Sequence, residues 1–150
     1  MKLLLPLALL CALASSSRAQ GGCGITPYGE GLGGTNTGSL WSSSTPALGG
    51  FVAFEMQGFD AGPVFGPGLG LLLLSGNHGN LPLLGGTLLI DPSQVLSQTA
   101  LQYDVYAEAF VSIPEDPALA GVTVYAQAGL QFPASGSFGL SNGLSITLCP

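Results

Sequence analysis

From Leu101 to Phe132 the side chains alternate in polarity through two long runs, with a proline-rich break between them. In the first run Leu101, Tyr103, Val105, Ala107, Ala109, Val111 and Ile113 fall on one side, opposite Gln102, Asp104, Glu108 and Ser112. In the second, Val122, Val124, Ala126, Ala128, Leu130 and Phe132 alternate with Thr123, Gln127 and Gln131. Successive strand side chains point to opposite faces, so a period of two predicts two half-buried β-strands. Pro114-Glu115-Asp116-Pro117 ends the first strand, because each proline fixes φ and lacks an N–H donor. The pattern predicts a long antiparallel hairpin with an acidic connection.

The start of the chain has a different character. Lys2 precedes an apolar run from Leu3 to Ala14, too short to cross a bilayer, and Ser17 and Ala19 are small residues at a cleavage-site spacing. An export signal is expected over residues 1–19, cut after Ala19, with one domain over residues 20–150 outside the cell or on its surface. Cys11 lies behind Leu9-Leu10 where a lipoprotein needs small residues, and no later segment is built as an anchor.

Lys2 and Arg18 are the chain's two basic residues, so loss of the signal leaves eight acidic side chains and none that is basic, a charge near −8 with His78 neutral. Binding to nucleic acid or to anionic membrane needs Lys and Arg, and both are excluded as partners. The remaining 131 residues (150 less 19) suit one domain that buries roughly two-thirds of its surface. With 24 Gly, 11 Pro and 7% charged residues, the composition fits short strands between turns better than helix or disorder. Runs at Thr35–Thr45, Phe51–Gln57, Leu69–Leu74 and Thr87–Ile90 add strands. Leu69–Leu74 is apolar throughout, as in a strand buried on both faces, and Ser141-Asn142-Gly143 between apolar runs predicts a closing hairpin. The expected fold is all-β: a two-sheet antiparallel sandwich of about eight short strands, wired as a Greek key or jelly roll.

The mature chain holds two cysteines, Cys23 and Cys149, one near each end. In an oxidising compartment a bridge between them closes nearly the whole domain, worth at most roughly 5 kcal/mol in the chain-entropy model. Two separate thiols, or bridges between chains, are the alternatives.

Several segments carry a resemblance. Gly68-Leu69-Gly70-Leu71-Leu72-Leu73-Leu74, then Leu81-Pro82-Leu83 and Leu88-Leu89-Ile90-Asp91-Pro92, then Ile113-Pro114 with Pro117–Ala128 and Leu140-Ser141-Asn142-Gly143-Leu144, resemble a small secreted domain. That domain recurs in planctomycete-type bacterial exported and surface proteins. The resemblance covers most of the mature chain, least in its amino-terminal third. It implies a small all-β module with no assigned activity, and it brings no catalytic residue.

Chemistry-bearing candidates are few. His78 follows Ser75, but Ser75-Gly76-Asn77 is not a nucleophile elbow, and a histidine beside Asn and Gly is more simply a turn residue. One histidine and two cysteines engaged in a bridge make no zinc site, so neither metal nor cofactor is expected. Glu115 and Asp116 lack a calcium-loop spacing and suit a solvated turn. No catalysis is expected. In the predicted hairpin Phe110 faces Tyr125 and Glu108 faces Gln127, gathering Tyr106, Phe110, Tyr125, Asp104, Glu108 and Gln127 on one outer face. Aromatic rings beside carboxylates and amides hold a neutral sugar or a partner protein. A loop or the Ser-rich strand near Trp41 covering these rings is the plainer alternative. The expected role is an exported structural or interaction module, with a cell-surface protein, a polysaccharide or self-association through an open sheet edge as its contact.

Overall fold

The computed structural model describes residues 22–32, 34–58, 68–103, 106–131, 136 and 138–150. The expected signal over residues 1–19 lies outside them. Ten strands are present among the described residues: β1 (Gly24–Tyr28), β2 (Gly38–Trp41), β3 (Phe51–Gly58), β4 (Gly68–Ser75), β5 (His78–Leu83), β6 (Gly86–Ile90), β7 (Val95–Tyr103), β8 (Tyr106–Ser112), β9 (Thr123–Gln131) and β10 (Phe138–Thr147). The fold is all-β, as the composition predicts.

Eight of these strands form one sheet in the order β7-β4-β9-β10-β2-β3-β8, with β1 also paired to β10. The sheet curls until its end strands, β7 and β8, lie beside each other, a nearly closed barrel instead of two stacked sheets. Every named pairing is antiparallel except the short β10–β2 contact at Ser141 and Gly38. One core fills the inside: Leu40, Phe54, Met56, Leu72, Leu130, Leu144 and Ile146 are all at most 2% exposed. Ala107, Ala109, Ala126 and Ala128 occupy inward positions of β8 and β9, where small side chains suit the narrow interior of a curled sheet.

The predicted hairpin does not form. Its first run divides between β7 and β8, and β8 pairs with β3, not β9: Phe110 opposes Ala53, Glu108 opposes Glu55 and Tyr106 opposes Gln57. β9 instead lies mid-sheet between β4 and β10. Alternation states which way a side chain faces and leaves the neighbouring strand unspecified. The proline-rich segment does end the first run; Asp116 caps a short 3-10 turn over Pro117–Leu119 by accepting the Ala118 N–H.

The remaining pair, β5 and β6, is a ribbon folded over the outside of β4, β9 and β10. Leu88 and Ile90 of the ribbon pack with Leu140, Leu73 and Tyr125 in a second, smaller core. Buried amides hold it down. Asn36 accepts the Thr87 N–H (2.8 Å) and donates to the Thr87 and Ser141 carbonyls, while Gln127 accepts the Leu89 N–H (2.7 Å) and donates to the same two carbonyls. An amide side chain offers the acceptor and donors of a peptide group, so Asn36 and Gln127 stand where a neighbouring strand would stand. Gly86 adjoins Asn36, and a Cβ there would strike Asn36 Oδ1. On the ribbon's other side Pro82 opposes Thr87, whose polar groups turn away from β5, so the proline costs the ladder nothing and blunts the free edge.

Asn142 repeats the device. Its side chain accepts the Leu40 N–H (2.8 Å) and donates to the Leu40 carbonyl (2.9 Å), extending the one-residue β10–β2 contact. Gly143 beside it lacks a Cβ that would collide with the Tyr28 ring. The predicted Asn-Gly turn is therefore an irregularity inside one long strand, β10. Leu69–Leu74 also differs from expectation: β4 is buried on its inner face, while Leu69 is 61% exposed outside.

Cys23 and Cys149 form a disulfide within the chain, which removes the alternatives and fits an oxidising compartment. Among the described residues no helix is long and apolar enough to cross a membrane.

Candidate functional site

The outward side chains of β2, β3 and β8 follow from period two. Burial of Leu40 on β2, of Val52, Phe54 and Met56 on β3, and of Ala107 and Ala109 on β8 turns their neighbours outward. Cross-strand register then lays down rows: Ser39, Gln57 and Tyr106; Trp41, Glu55 and Glu108; Ala53 and Phe110; Phe51 and Ser112.

Hydrogen bonds tie these rows together. Glu55 Oε2 accepts from Trp41 Nε1 (2.9 Å) and from the Tyr106 hydroxyl (3.1 Å), and Glu55 Oε1 accepts from Ser43 (3.3 Å). The same Tyr106 hydroxyl lies 2.9 Å from Glu108 Oε1. The Trp41 and Tyr106 rings are 6.1 Å apart and tilted; Phe51 and Phe110 meet edge-to-face at 5.8 Å. Tyr106, Phe51 and Phe110 are 43%, 56% and 63% exposed. Partial desolvation at the sheet surface pushes the Tyr106 hydroxyl up, its hydrogen bonds to Glu108 and Glu55 push it further, and both negative charges add. It stays a neutral donor at ordinary pH.

Of the six residues expected to share a face, Tyr106, Glu108 and Phe110 do so on β8. Asp104 lies outside the described residues. Tyr125 sits elsewhere, its ring between Tyr28 (5.9 Å) and His78 (5.6 Å) beneath the ribbon. Gln127 is 1% exposed and clamps β6, so it is no surface ligand group. Their grouping depended on β8 pairing with β9, and β8 pairs with β3. In place of Tyr125 and Gln127, Trp41, Glu55 and Phe51 complete the face. Their signal was present: Glu55 alternates with Phe54 and Met56, and Trp41 adjoins the buried Leu40. Trp41 does not cover the β8 aromatics; it stands beside them.

Elsewhere, Ser75 is buried, its hydroxyl 2.9 Å from both the Asn77 and Asp91 carbonyls, and His78 begins β5 instead of lying in a turn. They form no nucleophile–base pair. Among the described residues no three His, Cys, Asp or Glu side chains gather as a metal site. No family model, no curated protein and no solved structure matches the chain.

Proposed function

We propose that this chain is an exported, non-catalytic interaction module, acting at or outside the cell surface through the outer face of β2, β3 and β8. The observation that carries the reading is the exposure of Tyr106 and Phe110 on a face whose polar groups are already tied together. Exposed aromatic surface is costly to keep in water and marks contact sites. The outer surface over β9 and β10 is, by contrast, closed by the ribbon. Export is supported by the Cys23–Cys149 bridge and by the signal-like residues 1–19.

The test is expression of the full chain in a secreting bacterium, followed by mass spectrometry and envelope fractionation. A mature amino terminus at Gln20, and envelope retention lost in a Y106S/F110S double variant, are the expected results. Retention of residues 1–19, or retention on the envelope indifferent to that variant, overturns the reading.

A further inference from the structure

We propose that the ligand of the β2–β3–β8 face is a neutral polysaccharide, bound as an extended chain across Trp41, Tyr106, Phe110 and Phe51. The proposal rests on the interaction-module reading above. The aromatics come in two groups, Trp41 with Tyr106 and Phe51 with Phe110. Tyr106 and Phe110 are four residues apart on β8, so ~13 Å of strand separates them. That distance exceeds one sugar ring and calls for an oligomer whose successive apolar C–H faces stack on the rings.

Between the groups lie acceptors: Glu55 and Glu108 stand opposite each other at mid-face. Sugar hydroxyls are donors, and a hydroxyl bonded to a carboxylate is charge-assisted. The Trp41 and Tyr106 bonds to Glu55 fix these groups in advance, which lowers the ordering cost of binding. A protein interface is depleted in carboxylates at its centre, whereas here two occupy it. The chain after Arg18 has no Lys or Arg, so uronate, sulfate and phosphate polymers meet only repulsion.

Trp41 is the chain's one tryptophan, so its fluorescence reports on this face alone. The mature secreted protein is run through native gels containing hydroxyethylcellulose, galactomannan or arabinoxylan, with polygalacturonate as the anionic control. The same polymers are titrated against Trp41 emission. Retardation by at least one neutral polymer, none by polygalacturonate, and a shift in Trp41 emission are expected. Tyr106→Ser and Phe110→Ser each weaken apparent affinity about tenfold. Leu81→Ser, at an exposed position of β5 away from this face, leaves it unchanged. Near-ultraviolet circular dichroism and an intact disulfide establish that each variant is folded. No retardation by any neutral polymer, equal retardation by polygalacturonate, or indifference to the Tyr106 and Phe110 variants overturns the proposal. If neutral gels fail while envelope retention still depends on Tyr106 and Phe110, the glycan is wrong and the module reading stands.

Discussion

Glu55 and Glu108 stand directly opposite each other on β3 and β8, and one hydroxyl, that of Tyr106, lies within hydrogen-bond distance of both. Like charges facing across a ladder are destabilising, and the hydroxyl has a single proton to give. Surfaces that keep such a pair do so at a cost to the fold. Glu108→Gln is therefore expected to stabilise the protein by about 0.3 kcal/mol at low ionic strength, with the gain fading in high salt. Urea midpoints at two salt concentrations check this; a lowered midpoint contradicts it.

Gln127 holds the ribbon through the Leu89 N–H and the Thr87 and Ser141 carbonyls. Truncation leaves buried groups without partners, so Gln127→Ala should cost about 2–3 kcal/mol. The loss is local first: the Leu89 amide should exchange with deuterium well before amides of β4 or β9. Uniform acceleration across the sheet would argue against a ribbon that opens by itself.

The disulfide joins residues 126 apart, Cys23 ahead of β1 and Cys149 after β10. Replacing both cysteines by serine frees the amino terminus and enlarges the unfolded ensemble. A loss of about 3–4 kcal/mol is expected from loop-closure entropy, read as a lowered denaturant midpoint. Because β1 pairs with β10 besides, the fold should persist in native buffer.

Tyr28 donates to the Leu89 carbonyl at 2.7 Å. Burial, then the neighbouring Tyr125, push its hydroxyl up from 10.0 to about 12. The folded chain thus holds a proton that the unfolded chain releases near pH 10. Stability from this group is complete below that pH and is lost as pH rises from 10 to 12. The fall should be about 1 kcal/mol once the ring's partial exposure is allowed for. Tyr106 slopes in the same direction, so Tyr28→Phe should lessen the alkaline slope without abolishing it. Denaturation series across that range, with tyrosinate absorbance followed in parallel, measure both.

The inward alternation of Ala107 to Ile113 and of Ala126 to Leu130 was legible in the sequence, because burial of one face imposes period two. Strand partners were not. Ser112 and Thr123 flank a proline-rich link that is compatible with a hairpin, yet the curl of the sheet sends β8 to β3 and β9 to β4 and β10. β1 was hidden because Gly24-Ile25-Thr26-Pro27-Tyr28 is short and contains a proline. The burial of Gln127 is not legible in the sequence for a physical reason. Polar alternation places a residue on the outer face and does not announce that a ribbon from residues 78–90 covers that face. The aromatic face is half legible: alternation along β8 brings Tyr106, Glu108 and Phe110 to one side, while the strand beside them, β3, is set by the curl of the sheet.

Asn142 contributes to the fold through an amide that replaces a missing stretch of backbone pairing. Amides are among the thermolabile groups of proteins, and a glycine next in the chain leaves the backbone open to attack the side chain. Hydrolysis to aspartate would turn the donor facing the Leu40 carbonyl into a second acceptor, setting two oxygens against each other at the seam between β10 and β2. That seam is where ageing would register in the fold. Stored protein should show a mass gain at Asn142 and a loosening of the β10–β2 seam together.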